Sequence, residues 1–310
     1  MQRHKLNLVL AVSAVALAAA VFFSQKKEEK SAPLTPLTGS TLNRVIIEHP
    51  GSPAIVLSKQ DARWQLDAPV KAEADPFETN AFAALATQEV KSTLDPAQVN
   101  LKDLGLDPPA YSVMLNDQKL AFGGTDPIQS RRYILAKGKV ALVDDPPGTA
   151  LDADYSDLVS KALLSEKAQI QSIALPGQSI ARAADGKGWT LTPEHADIGA
   201  DARQKFIDGW KSAHAMWNAA LPKNSAKGDA VTVTLKDGTA LKFIVTARDP
   251  QFVIARPDLG VSYTLSKQLV DELLKLSQDA KADKPVTTVP ADASSSTATV
   301  KKLKDAGPGH

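Results

Sequence analysis

The sequence predicts an α+β protein made of two tandem, divergent repeats with mainly antiparallel sheets, preceded by one transmembrane helix. Three observations carry that expectation. Short runs in which apolar and polar residues alternate recur along the chain, as strands with one buried face do. Landmarks of the first half return in order in the second: Trp64-Gln65-Leu66, Pro69 and Ala74-Asp75, then Trp189-Thr190-Leu191, Pro193 and Ala200-Asp201. An uncharged run from Leu6 to Phe23 opens the chain. As a helix it is about 27 Å long, close to the hydrocarbon thickness of a bilayer.

Residues 1–30 are read as a membrane segment: a basic start (Arg3, Lys5), the apolar run, and a polar stretch with Lys26, Lys27 and Lys30. Two readings stay open. Ala16-Leu17-Ala18 and Ala18-Ala19-Ala20 each fit a small-residue cleavage site, which would make the segment a removable signal peptide. Val21-Phe22-Phe23 carries the apolar run past both sites, which favours an uncleaved anchor. Lysines flank both ends, so the charge rule for orientation does not decide cleanly. A short basic N-terminus before one apolar segment still reads as an export signal. The expected location is the bacterial inner membrane, single-pass, with the N-terminus cytoplasmic and the bulk periplasmic.

Residues 31–40, with two prolines, are expected to be a linker. The first repeat, 41–167, opens with the strand patterns Arg44–Glu48, Ala54–Leu57 and Arg63–Leu66. Asp75-Pro76 reads as N-cap and N1 of a helix to about Val90, with Phe77, Ala81, Ala84 and Leu85 on its inner face. Leu104-Gly105-Leu106-Asp107-Pro108-Pro109 then sets up the strand Tyr111–Leu115, which turns at Asn116-Asp117 and returns through Leu120–Phe122. Arg132–Leu135 and Val140–Val143 form another hairpin, and helical spacing predicts a closing helix from Asp154 to Lys167.

The second repeat, 168–276, replays this order without the Gly-Leu-Asp-Pro-Pro segment. Ile170 and Ile173 stand for the first strand, Asp201 for the helix cap, and Val231, Val233 and Leu235 for Tyr111, Val113 and Leu115. Phe252–Ala255 and Val261–Leu265 make the late hairpin, and Leu269, Val270, Leu273 and Leu274 the closing helix. Residues 277–310 carry almost nothing large and apolar and are expected to be a disordered tail.

With these landmarks on the page, the chain resembles the bacterial family known as domain of unknown function 4340. The matching residues are Trp64-Gln65-Leu66, Ala74-Asp75 opening a helix, Leu104–Pro109, Gly123 and Tyr133. The resemblance implies membrane-anchored envelope proteins, some similar to auxiliary subunits of ABC-type exporters of the gliding-motility kind. It implies no catalytic residue.

Composition excludes several classes. With no cysteine, the chain has no disulfide, thiolate nucleophile, Cys-ligated zinc, iron–sulfur cluster or acylated lipoprotein anchor. A net charge of +1 argues against nucleic acid as a partner. Gly123-Gly124-Thr125 lacks the Lys-Ser/Thr of a phosphate-cradling loop, Gly186-Lys187-Gly188 precedes a strand, and there is no Gly-x-Ser-x-Gly elbow. His4, His49, His195, His214 and His310 show no metal-ligand spacing; His214 is expected on a helical core face with Phe206, Trp210 and Trp217. Asp144, Asp145, Asp152, Asp154 and Asp157 lack EF-hand spacing and read as a solvated loop, with Asp152 or Asp154 capping a helix. Arg131, Arg132 and Arg256 fall at comparable places in the two repeats and are candidate contacts for an anion or partner, against a plain reading as solvent-facing strand positions. The expectation is a non-catalytic accessory or scaffold of an envelope assembly, with no cofactor, no metal, and an inner-membrane protein partner such as ABC transporter subunits. The alternative is a periplasmic binding module for a glycan, lipid or peptide.

Overall fold

A computed structural model of the chain describes residues 32–144, 151–152 and 154–276. It corrects the predicted fold class. The protein is built of two large antiparallel sheets, of nine and eight strands, and the described residues hold only four short α-helices. None of those helices is long and apolar enough to cross a membrane. The predicted anchor at residues 6–23 and the predicted tail at 277–310 lie outside the described residues.

The first sheet contains β1 (Arg44–Glu48), β2 (Ile55–Gln60), β3 (Arg63–Ala68), β4 (Ala72–Glu73), β5 (Val90–Leu94), β6 (Tyr111–Leu115), β7 (Gln118–Thr125), β8 (Arg131–Ala136) and β9 (Lys139–Asp144). Their order across the sheet is β4-β3-β2-β1-β6-β7-β8-β9-β5. The second sheet contains β10 (Ile170–Leu175), β11 (Gln178–Arg182), β12 (Trp189–Thr192), β13 (Trp217–Ala220), β14 (Asp229–Leu235), β15 (Ala240–Ala247), β16 (Phe252–Arg256) and β17 (Val261–Leu265). Their order is β12-β11-β10-β14-β15-β16-β17-β13. Element by element this is the first order again, without a counterpart of β4. Register repeats too. Val45 faces Leu57 and Ile47 faces Val113 in the first sheet, as Ile173 faces both Ile180 and Val233 in the second. These apolar positions carry the period-two pattern that sets register, because a slip by one residue would turn each of them to the other face.

The helices are α1 (Pro76–Ala86), α2 (Tyr155–Leu158), α3 (Ala200–Ser212) and α4 (Leu269–Leu274). Asp75 caps α1 as expected, its Oδ1 accepting the N–H groups of Phe77 (2.9 Å) and Glu78 (3.2 Å). The inner face differs from the expectation. Thr79, Phe82, Leu85 and Ala86 are buried, while Phe77 is 78% exposed. The helix also stops four residues before Val90, because Val90 opens β5 and pairs with Val143 at the edge of the sheet. In α3 the cap is Gly199 rather than Asp201, and no side chain caps it.

The largest difference is at the end of the first unit. The expected helix from Asp154 to Lys167 is only one turn long. From Val159 the chain is extended and forms bridges with both units, Ala74 with Val159 and Ala162 with His214. Helical spacing of Leu158, Val159, Ala162 and Leu163 was overridden by backbone partners on either side. Residues 32–40, expected to be a linker, lie on the first unit. Leu34 and Thr35 are buried, Leu34 N–H donates to the Gln88 carbonyl (2.7 Å), and Thr35 Oγ1 donates to the Ala86 carbonyl (2.7 Å). The buried apolar side chains form one cluster running through both units.

Candidate binding clefts between the two units

The connector after α2 ties the units together. On the first unit, Asp75 N–H donates to the Leu158 carbonyl and Ser160 N–H to the Glu73 carbonyl, both at 2.8 Å. On the second, Leu163 N–H donates to the Ala213 carbonyl (3.0 Å), Ala215 N–H to the Lys161 carbonyl (2.7 Å), and buried Asn218 Nδ2 to the Val159 carbonyl (2.8 Å). Tyr155 adds a hydroxyl that donates to the Leu259 and Gly260 carbonyls, at 3.1 and 2.9 Å. The connector, bent at Lys161, Leu163 and Leu164 and turned at Glu166-Lys167, lines two clefts. Lys161, Ala162, Leu164 and Glu166 line one, Val159, Leu163, Ser165, Lys167 and Ala168 line the other, and Ser160 lines both.

The first cleft has a volume of about 660 Å³ and is lined by Trp64, Asp75, Lys161, Lys211 and His214 among others. Several of its charges are paired, while Lys59 and Lys211 have no carboxylate partner among the described residues. Arg63 bonds Glu73 (3.2 Å) and, from the connector, Glu166 (2.5 Å); hydrogen bonding to Glu166 and then its charge hold the guanidinium above its usual pKa. Lys161 reaches Glu78 at 3.1 Å and Asp75 at 3.7 Å. Trp64 stands edge-on to Phe82 (5.9 Å) with the Lys59 ammonium 5.9 Å above its ring. His214 is not on a helix face. It follows α3, is exposed, and its Nδ1 lies 2.6 Å from the Ser212 carbonyl. Trp217, expected on the same face, is largely exposed in β13.

Asp75 joins two roles here, as cap of α1 and partner of Lys161. Asp75→Ala is expected to lower stability by about 1–2 kcal/mol, since an N-cap contributes most of that. Asp75→Asn keeps the cap acceptor and should cost less. The urea midpoints of the two variants check this, and equal losses would assign the effect to the ion pair instead.

The second cleft, about 360 Å³, is lined by Lys71, Ser160, Lys167, Asp237, Arg256 and Tyr263 among others. Arg256 is 8% exposed, donates through Nε and Nη2 to Asp258 (2.9 and 2.7 Å), and lies 5.1 Å over the Phe243 ring. Burial alone would raise the Asp258 carboxyl; the hydrogen bond and charge of Arg256 outweigh it and hold the group below the usual range. Tyr263 is 2% exposed, and burial pushes its hydroxyl up to about 12. The sign follows directly. Above the ordinary tyrosine value the unfolded chain loses this proton before the folded chain does, so stability is full below about pH 10 and declines toward pH 12. The loss should be about 2–3 kcal/mol over that window, at 1.36 kcal/mol per unit. Tyr263→Phe should remove that part of the alkaline decline, because no hydrogen bond to the hydroxyl is formed among the described residues. Urea titrations at pH 8 and 11 measure it, and an unchanged decline in the variant would count against the assignment.

Of the candidate arginines, Arg256 lines the second cleft, and neither Arg131 nor Arg132 lines either cleft among the described residues. Arg131 begins β8, where its Nη1 donates to Gln129 Oε1 (2.5 Å) and its Nε lies 3.6 Å from Asp144. Arg132 Nη1 donates to the Gly123 carbonyl at 3.1 Å. β8 and β16 hold the same place in their sheets, but Arg131 and Arg132 start one and Arg256 ends the other, so the three are not brought together. Lys71, Lys167 and Tyr263 were not singled out from sequence; the signal for Arg256 as an inward residue was its period-two spacing from Phe252 and Ile254. In the acidic loop, Asp154 caps α2 by accepting Ser156 N–H (3.0 Å), Asp144 meets Lys91 (3.5 Å), and Asp152 lies 3.5 Å from His49 Nε2. Burial, with the nearby Asp154 charge, holds the Asp157 carboxyl above its usual range. Asp145 is outside the described residues. Among the described residues no three His, Asp or Glu side chains gather as metal ligands.

Duplicated strand order, a shared core and two clefts along the joint define a two-unit antiparallel β protein. A family model described as "Domain of unknown function (DUF4340)" matches residues 64–251, from β3 through β15 and across the connector. The chain belongs to that family. No curated protein and no solved structure matches it.

Proposed function

We propose that this chain is a non-catalytic accessory or scaffold protein of the bacterial envelope, held to the inner membrane through residues 6–23 with its folded part periplasmic. Its partner on this reading is an inner-membrane protein assembly such as an ABC-type transporter. The observation that carries the reading is the use made of the charges in the larger cleft. Arg63, Lys161, Glu73, Glu166 and Asp75 are committed to ion pairs that lock connector and first unit, which suits a rigid joint. The short tether supports it. Ala32 and Pro33 already pair with the chain at Val90 and Glu89, so residues 24–31 allow at most about 28 Å between the end of the apolar run and the folded body.

The test is in-cell photo-crosslinking of the full chain from two exposed apolar positions, Phe77 and Ile128, with mass spectrometry of the products. The expected result is one integral membrane protein that captures this chain reciprocally and is lost when residues 6–23 are exchanged for a cleavable signal. Capture of nothing, or of this chain alone, would overturn the reading. A second reading, a binding module for a glycan, lipid or peptide, is favoured by the first cleft, where half-buried Trp64 offers an aromatic wall. A saturable rise in melting temperature with such a ligand, without membrane-protein capture, would select it.

A further inference from the structure

We propose that the second cleft binds a small phosphate-bearing anion, with Arg256 as its anchor and Lys71 and Lys167 as its rim. This does not rest on the accessory reading. A buried guanidinium is costly to desolvate unless it is paired and fully bonded. Arg256 is paired on one edge only, Nε and Nη2 to Asp258, whose side chain is 54% exposed. A surface arginine could make that pair without burial. Stacking on Phe243 and the Asp258 fork fix the plane of the guanidinium, which pre-organises what remains. What remains is Nη1, which makes no hydrogen bond among the described residues and is not among the buried orphaned atoms, so it is open to a ligand in the cleft that Arg256 lines.

The surrounding charge fits an anion. Lys71 and Lys167 are exposed and have no carboxylate partner among the described residues, and the adjoining hollow, which shares Lys167, adds Lys236. Against these cations stand Asp258, bound to Arg256, Glu73, bound to Arg63, and Asp237, whose carboxylate accepts Thr239 N–H at 2.9 Å. Cations from three separate segments lining one cleft suit a group with several charged oxygens, as a phosphate has, better than a single carboxylate. A volume of about 360 Å³ is enough for a small molecule.

The experiment titrates inorganic pyrophosphate into the full-length chain in detergent, read by calorimetry and by melting temperature, with sodium chloride of equal ionic strength as control. Saturable binding is expected, weakened at least tenfold in the Lys71→Gln/Lys167→Gln double variant, whose exposed positions leave folding intact. Arg256→Gln should abolish binding; if that variant does not fold, the lysine variant decides. A second arm adds phosphatidylglycerol to the detergent micelles that hold the full chain, with phosphatidylcholine as control, and reads melting temperature. A lysine-dependent, saturable rise with phosphatidylglycerol alone, without pyrophosphate binding, would keep the site and assign its anion to a lipid headgroup. Equal affinity in wild type and the lysine variant, or no saturable binding in either arm, would overturn the proposal. None of these readouts depends on a protein partner, so the site and the accessory role fail or stand separately.

Discussion

Alanine at Gly123 should destabilise the protein by about 2–3 kcal/mol, the upper part of the range for forcing atoms into a packed interior. Gly123 lies in β7 where the Leu104–Leu106 loop crosses it. A Cβ there would stand 2.4 Å from the Leu104 carbonyl oxygen and 2.9 Å from Leu106 Cγ. Neither can retreat easily. The Leu104 carbonyl accepts Gly124 N–H (2.8 Å), Leu106 N–H is fixed to the Leu101 carbonyl (2.8 Å), and the Leu106 side chain is buried. Gly124 is the internal control, because its added Cβ would meet Leu104 O at 3.6 Å, an ordinary contact. Gly124→Ala should therefore change stability by no more than about 0.5 kcal/mol, the usual range for surface positions. Urea midpoints at constant slope measure both. Equal losses would mean that strand glycines, not the loop crossing, set the cost. The same geometry explains the Leu-Gly-Leu-Asp-Pro-Pro segment as a structural device: Gly105, at φ +66°, makes the turn that lays the loop on β7.

Much of the sheet was legible because its information is local. Alternation in Arg44–Glu48 and Tyr111–Leu115, the turn at Asn116-Asp117, and the paired landmarks Trp64/Trp189 each sit within a few residues of sequence. What was not legible depends on distant partners. β5, Val-Lys-Ser-Thr-Leu, is an edge strand with little apolar pattern, and it exists because β9 offers it a ladder. β13 depends on β17 in the same way. The segment after Leu158 has helical spacing, yet it is extended because Glu73 and Ala213 present backbone groups to it. The fold class was misjudged for this reason: two stretches counted as long helices became one short helix, one turn, and strand-like chain. The clefts were invisible for the same reason. Lys71, Lys167 and Arg256 come from three separate segments, and the joint between the units brings them to one cleft.

Trp210→Ala should be the most damaging single change, at about 3–5 kcal/mol, the usual cost of emptying a large aromatic site. Trp210 has no exposed surface; its ring lies 5.4 Å from Phe243 of β15, and its Nε1 donates to the Leu273 carbonyl at 3.0 Å. Trp210→Phe separates the two contributions. It keeps most of the packing but leaves a buried carbonyl unpaired, which costs about 1–3 kcal/mol. A six-residue helix cannot hold itself together in water, so α4 should be the first element released. Faster amide exchange across Leu269–Leu274 in the Phe variant, with α1 unchanged, would show that. The Ala variant asks a larger question. Asn218 bonds the Val159 carbonyl and Tyr155 bonds the Gly260 carbonyl, and the core runs without a break from one unit into the other. Damage at Trp210 should therefore unfold both units in one transition, with tryptophan fluorescence and circular dichroism tracing the same curve. Two separated transitions would mean that each sheet stands alone and that the connector is a hinge. In that case the ion pairs of the first cleft would not make a rigid joint, and the accessory reading would lose its main support.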